Sequence, residues 1–349
     1  MARQVILISD AEKTCGVEEF ARQLAARLGD EAVTFALGAT GLDEALRDAS
    51  DLVVNLPVVA WKRKLVAPIA AAGRVRLAGR GVTIVLHEWA DLALARRISY
   101  LPLLPLASRL LFSSPEVMAQ FEATPVSRVV TGRRAVVPIP PNFVVPGWTS
   151  ASPLSERLAA DRAAGKMVIG QFGSIYPRKD PLLLLDAAAE LRGRGVDLRV
   201  VFVGSFVQDG SNVEADFRTG VVARGLSGLV QVSGYVRDAP ELYGLFAEID
   251  AFCYPLSEGL TSRRASVLAA ALSGRPVIVS APQRADSLQH HRLFRSLLRA
   301  GTIQLVPRDA GAAAFADALL ATRGTSPRGS DAAAAIDAVW SDALAALTS

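Results

Sequence analysis

The sequence predicts an α/β protein made of two doubly wound parallel sheets, and three observations predict it. Short β-branched runs alternate with alanine- and leucine-rich helical stretches from one end to the other, the pattern of parallel strands joined by crossover helices. A proline-rich passage, VVPIPPNFVVPGWTSASP, breaks that alternation near the middle. At 349 residues, the chain is also longer than one hydrophobic core usually grows.

In order, the first half offers the strands QVILIS, AVTFAL, DLVVNL, VTIVLH and RLLFSS, and the second MVIGQF, LRVVFVG, LVQVSGY, DAFCYP, PVIVSA and TIQLVP. Asp180 followed by Pro181 is a good N-cap and N1 pair, so a helix is expected to start there. A later helix is expected to begin near Ser262, capped by Thr261 or Ser262, and to stop at Gly274. Arg263 and Arg264 would then fall in its first turn, where the helix dipole disfavours cations. An anion outside the sequence would account for them. The tail AAAAIDAVWSDALAALTS reads as a helix, because Ile336, Val339, Trp340, Ala343 and Leu347 recur at spacings of three and four.

Composition narrows the class. Hydrophobic residues make up 51% and charged residues 21%, which describes an ordered globular chain. No apolar run reaches the roughly 18 to 20 residues that span a bilayer, and the opening MARQVILISDAEKT reads as strand and loop, so a cytoplasmic location is expected. Two cysteines and three histidines cannot build a disulfide framework or a Cys/His metal site. The net charge of +4 suits phosphate groups, an anionic membrane face or nucleic acid, and charge alone does not choose among them.

Ligands of doubly wound sheets bind beyond the carboxyl ends of the strands. That rule selects Thr14 to Glu18, His87, Gly173 to Lys179, Gly204, Gly234 to Val236, and Glu258 to Ser266, and a cleft between the units is the expected binding place. Behind Gly173, Arg178 and Lys179 stand beside a helix start, which makes either a phosphate cradle or a solvated basic pair. Arg263 and Arg264 either flank a ligand phosphate or fold back onto Glu258. His87 can position an acceptor hydroxyl or be a hydrogen-bonded structural imidazole. Glu18 and Glu19 either take a site role or simply suit the first turn of a helix by their sign. His290 and His291 are expected in solvent, and Cys253 in the core.

Taken in order, these stretches resemble retaining glycosyltransferases of the two-Rossmann GT-B architecture, family 4 group. TCGVEEFARQLAARL resembles the Gly-Gly-Val-Glu start of the first helix, through Gly16, Val17 and Glu18, with Cys15 in place of the first glycine. HEW, from His87, resembles the acceptor-side histidine loop. GSIYPRKDPLLLLDAAAEL resembles the phosphate loop, with Lys179 at its lysine and Ser174 where the family has arginine. SEGL and SGRPVIVS resemble the acidic motif and the strand after it, while Ser266 and Ala269 leave the second acidic position unfilled. Arg263, Arg264 and Ser266 resemble a bacterial branch with R-R-x-S there. The tryptophan-containing tail resembles the helix that crosses back to the first domain.

The resemblance implies an N-terminal acceptor domain of residues 1–148 joined by 331–349, and a nucleotide-sugar donor domain of 149–330. It implies transfer of a sugar from a nucleoside diphosphate to a hydroxyl with retention, in bacterial polysaccharide or glycolipid assembly, without metal, cofactor or nucleic acid. His87, Lys179, Arg178, Arg263 and Glu258 would carry catalysis. Gly16, Gly173, Ser174, Gly204, Gly234, Tyr235, Val236, Gly259, Thr261, Ser262, Arg264 and Ser266 would bind the donor. The acceptor would be a saccharide or lipid-linked saccharide; the basic, apolar stretches WKRKLVAPIAAAGRVRL and ARRISYLPLLPLASRLL would suit peripheral contact with the inner membrane face. Two rivals stand beside this reading. A non-catalytic nucleotide-sugar-binding relative or partner subunit would fit Ser174 and the missing acid, and a dinucleotide oxidoreductase would share the fold but lacks a G-x-G-x-x-G.

Overall fold

The computed structural model describes residues 3–10, 15–63, 66–207, 212–327 and 331–348. Thr14 of the first expected ligand loop, and Lys64 and Leu65 of the basic stretch, lie outside the described residues. The chain divides into two compact units, Met1–Asn142 with Asp337–Ser349, and Phe143–Ile336.

In unit 1 the strands are β1 (Gln4–Ile8), β2 (Ala32–Ala36), β3 (Asp51–Leu56), β4 (Gly81–Leu86), β5 (Arg109–Phe112) and β6 (Arg133–Val136). The helices between them are α1 (Gly16–Leu28), α2 (Leu42–Asp48), α3 (Val66–Leu77), α4 (Leu94–Tyr100) and α5 (Pro115–Glu122). The sheet runs β2-β1-β3-β4-β5-β6 with every pairing parallel. Every residue of β3 is buried, and in β4 all but the first. A strand covered by helices on both faces needs a continuous apolar run rather than alternation, which is why DLVVNL and VTIVLH read so clearly.

Unit 2 begins with α6 (Pro153–Ala163) and then alternates β7 (Met167–Phe172), α7 (Pro181–Gly193), β8 (Leu198–Val203), α8 (Val213–Ala223), β9 (Val230–Val232), α9 (Ala239–Ala247) and β10 (Ala251–Tyr254). It continues with α10 (Ala265–Leu272), β11 (Val277–Ser280), α11 (Arg292–Arg299), β12 (Ile303–Val306) and α12 (Ala312–Leu320). Its all-parallel sheet runs β12-β11-β10-β7-β8-β9. Chain order reverses between β7 and β10, so the loops that follow these two strands emerge side by side at the switch point. The last helix, α13 (Ala332–Thr348), counts with unit 1 from Asp337 onward. There Trp340 stacks on Phe20 with centroids 5.5 Å apart, and Arg27 lies over its ring while pairing with Asp337 at 2.8 Å.

Each expected strand is present, and three other expectations are corrected. Strand β6 was not expected: its RRAV is half-buried or exposed on a sheet edge, so no apolar run marks it. Helix α10 starts at Ala265 rather than Ser262, because Thr261 to Arg264 form a turn in which the Arg264 amide donates to the Thr261 carbonyl at 3.2 Å. His291 is fully buried edge-on to Phe294, with centroids 5.0 Å apart, and His290 is half-buried. Their polar neighbours in sequence hid an apolar packing partner one helical turn ahead.

Candidate anion site at the switch point of the second sheet

Beyond the carboxyl end of β7 the chain passes Gly173 and Ser174, makes a short turn over Pro177–Lys179, and enters α7. Asp180 caps that helix as expected: its carboxylate accepts the Leu183 amide at 3.1 Å, with Pro181 in the first turn. Two glycines set the geometry of the entry. Gly173 has φ +99°, and a Cβ there would come within 2.6 Å of Lys179 Nζ and 3.2 Å of Ser266 Cβ. A Cβ on Gly204, at the end of β8, would fall 2.3 Å from the Gly173 carbonyl oxygen. Only bare backbone fits at Gly204, and at Gly173 the left-handed φ favours glycine.

The loop after β10 is bound to the loop after β7. Both the Ser257 amide and its hydroxyl donate to the Arg178 carbonyl, at 3.3 and 3.2 Å. Gln171 donates to the carbonyls of Lys179 and Cys253, at 3.4 and 3.3 Å. Gly259, with φ +75° and no room for a Cβ beside the Ala281 carbonyl at 2.3 Å, fixes the backbone just after Glu258.

These ties bring the basic side chains together. Lys179 is 4% exposed; its ammonium donates to the Phe172 carbonyl at 2.8 Å and lies between the rings of Tyr176 and Tyr254, at 5.8 and 5.9 Å. Burial foremost, and then the charge of Arg264, push this ammonium down to about 7. Arg264 donates to the Tyr176 hydroxyl and, at 3.3 Å, to Glu258 Oε2. Arg178 reaches Glu258 Oε1 at 3.0 Å. Of the two arginines expected in the first turn of α10, Arg264 is instead its N-cap residue, with no side-chain cap, and Arg263 precedes it, half-buried. Cations just ahead of the positive end of a helix suit a negatively charged group, and the Ala265 and Val267 amides of α10 already donate to the carbonyls of Arg263 and Arg264, each at 3.0 Å. Polar atoms buried here without a hydrogen-bond partner among the described residues include Thr261 Oγ1, Arg264 Nε and Gln171 Oε1.

The other expected residues of this unit frame the cluster. Ser174 is exposed, Thr261 and Ser262 are buried, and the Ser266 carbonyl accepts the Tyr254 hydroxyl at 3.1 Å. Ser233 Oγ accepts the Gly204 amide at 3.1 Å and donates to the Gly234 carbonyl at 2.6 Å, which joins the loops after β8 and β9. Gly234 takes φ +77°, Tyr235 is 78% exposed and Val236 is half-buried. Tyr176 and Tyr254 were not read from the sequence. Tyr254 closes an apolar strand run, and its hydroxyl also receives the Phe172 amide at 3.1 Å, a contact between strands far apart in the chain.

Two expected residues belong to unit 1. His87, at the end of β4, is 7% exposed; its Nε2 lies 3.2 Å from Asn55 Oδ1 and its ring meets Phe20 edge-on at 5.3 Å. Gly16 opens α1, and a Cβ there would meet nothing within 4 Å. Glu18 is buried, its carboxylate accepting the Ser9 amide at 2.9 Å, the Ser9 hydroxyl at 2.7 Å and Arg22 at 3.0 Å, so it ties α1 to the end of β1. Among the described residues no group of three or more His, Cys, Asp or Glu side chains could hold a metal ion, and no helix is long and apolar enough to cross a membrane.

Residues 166–322, somewhat less than half the chain, match a family model described as glycosyl transferases group 1. No curated protein is similar enough in sequence to match. Among solved structures, Anabaena HepE in complex with UDP is similar at 15% identity, over 99% of this chain and 96% of that one, with a TM-score of 0.65. Sucrose-phosphate synthase of Thermosynechococcus elongatus gives 17%, 99%, 97% and 0.65, and an E. coli trehalose-6-phosphate structure bound with UDP-2-fluoro glucose gives 14%, 98%, 96% and 0.61. At these identities the shared property is the fold, two Rossmann-like units of the GT-B type.

Proposed function

We propose that the chain is a retaining glycosyltransferase of the family 4 type, moving a sugar from a nucleoside diphosphate to a hydroxyl acceptor. The observation that carries this reading is the convergence of Lys179, Arg178 and Arg264 at the switch point of the second sheet. As the glycosidic bond lengthens, negative charge gathers on the departing diphosphate. Fixed cations lower that barrier, each donor by about 10²- to 10³-fold. In this reading the leaving phosphate oxygen takes the acceptor's proton, so no carboxylate need act as general base. Gly16 approaches the phosphates and His87 serves the acceptor side. The Ser174 departure is offset by Arg263 and Arg264. The match of the donor-half residues to the glycosyl transferases group 1 model supports it, as does the binding of UDP by Anabaena HepE.

The acceptor side stays at the level of chemistry. Leu94 and Ile98, one turn apart on α4, are 64% and 54% exposed beside Arg97, which supports a lipid-linked acceptor met at an anionic membrane face.

Binding and turnover test the reading separately. Nucleoside diphosphates should raise the melting temperature where nicotinamide dinucleotides do not, and a panel of nucleotide sugars with lipid and saccharide acceptors should reveal transfer. Lys179→Ala and Arg264→Ala should each lower kcat by about 10²-fold or more, and unchanged turnover in both would refute the assignment. Ser266 beside Gly173, where the family carries an acid, favours one alternative, a non-catalytic relative. Nucleotide binding with neither hydrolysis nor transfer would select it.

A further inference from the structure

Two arginines of the switch point share one carboxylate. Glu258 spans them, Oε1 to Arg178 at 3.0 Å and Oε2 to Arg264 at 3.3 Å, and Arg264 spends its other arm on the Tyr176 hydroxyl. Its backbone is held by the tight turn at Gly259, while its side chain is 40% exposed and that of Arg178 is 52% exposed. Lys179, buried alongside, donates to a neutral carbonyl. Two carboxylate oxygens shared between two guanidinium groups imitate, with less charge, the paired anionic oxygens that a phosphate presents to the same groups.

We propose that Glu258 is an internal stand-in for the ligand's phosphate. In the empty site it holds Arg178 and Arg264 together against their mutual repulsion, and it gives them up when a diphosphate arrives. This rests on the reading of the site as one for a nucleoside diphosphate. Partly exposed ion pairs contribute little net stability, so the exchange is easily made. A diphosphate brings more charge and more acceptor oxygens to the same donors. The released carboxylate is then free to face the sugar, and one residue serves the empty and the loaded site in turn.

The stand-in competes with the ligand, so its removal should tighten binding. Titration calorimetry of the full chain with UDP, GDP, ADP and inorganic pyrophosphate tests this on wild type, Glu258→Gln and Glu258→Asp. Glu258→Gln keeps the shape and loses the charge. It should bind the preferred diphosphate roughly 3- to 10-fold more tightly, up to about 1.4 kcal/mol, with a lower melting temperature in the empty state and a larger rise on saturation. Glu258→Asp, too short to span both arginines, should fall in between, and turnover of Glu258→Gln should drop while its affinity rises. Equal or weaker binding by Glu258→Gln, with wild type binding normally, overturns the stand-in and leaves the glycosyltransferase reading intact. Failure of the folded wild type and of both variants to bind any of the four probes overturns both.

Discussion

Lys179 shows what one buried residue contributes. Unfolded, its ammonium titrates near its ordinary value of 10.5; folded, burial and Arg264 bring it down to about 7. Between those values the unfolded chain holds a proton that the folded chain has released, so stability should rise with pH across that window. Denaturation midpoints taken from pH 7 to 10 should show the rise in wild type and lose its Lys179 share in Lys179→Met. A bound diphosphate reverses the preference, because a nearby anion favours the charged form. Binding near pH 8 should therefore take up a proton. Calorimetry in two buffers of different ionisation heat should give enthalpies that differ in wild type and converge in Lys179→Met; identical enthalpies in wild type would contradict this account. The lysine itself was legible, because a glycine after a strand and a cation before a capped helix form a local pattern. Tyr254 was not, since its relation to Lys179 is made by the pairing of β7 with β10, and Tyr176, in the same turn as Lys179, carries no charge to mark it. Arg263 and Arg264 were legible as residues and misplaced by one turn, because whether a helix begins at Ser262 or Ala265 turns on a single backbone hydrogen bond.

At the scale of elements, two kinds of glycine can be told apart. Gly204 is demanded by packing, with the Gly173 carbonyl 2.3 Å from where its Cβ would be. Gly204→Ala must push the loop after β7 aside, so it should destabilise the protein by about 1–3 kcal/mol and weaken diphosphate binding with it. Gly16 has open space around it, so nothing in its own unit requires glycine. Gly16→Ala, at the head of α1, should keep or slightly raise stability, by up to about 1 kcal/mol. Any loss of donor affinity in that variant would then come from the ligand's approach, which is the role the sequence suggests for it. Urea midpoints and dissociation constants for the two variants separate the cases. The central strands were legible as short apolar runs buried by helices on both faces, and the half-buried edge strands β2, β9 and β12 by the β-branched residues they still carry. Strand β6 lacked that signal, being an edge strand with two arginines in four residues.

At the scale of the whole molecule, each unit carries a core of its own. In unit 1 it runs from Val5 and Leu7 to Phe112 and Phe121; in unit 2 it runs from Ile169 and Leu184 to Phe315. Sequence periodicity made α13 visible as a helix but could not say which core it completes, because an apolar stripe does not name its partner. The partner is the unit that ended almost two hundred residues earlier. Trp340, 2% exposed, stacks on Phe20, which in turn meets His87 edge-on. Removing the indole would leave a cavity in unit 1 and none in unit 2, so Trp340→Ala should cost about 3–5 kcal/mol in the unfolding of unit 1 alone. The cluster of Lys179, Arg178 and Arg264 lies wholly in unit 2. The variant should accordingly show an early unfolding transition while unit 2 still binds nucleoside diphosphate, less tightly only by what Gly16 adds, and transfer should fail as unit 1 melts. Calorimetric scans with and without diphosphate would resolve this, the ligand raising the later transition more than the earlier one. A single transition that shifts as a whole in both Trp340→Ala and the liganded protein would mean that the two cores unfold as one.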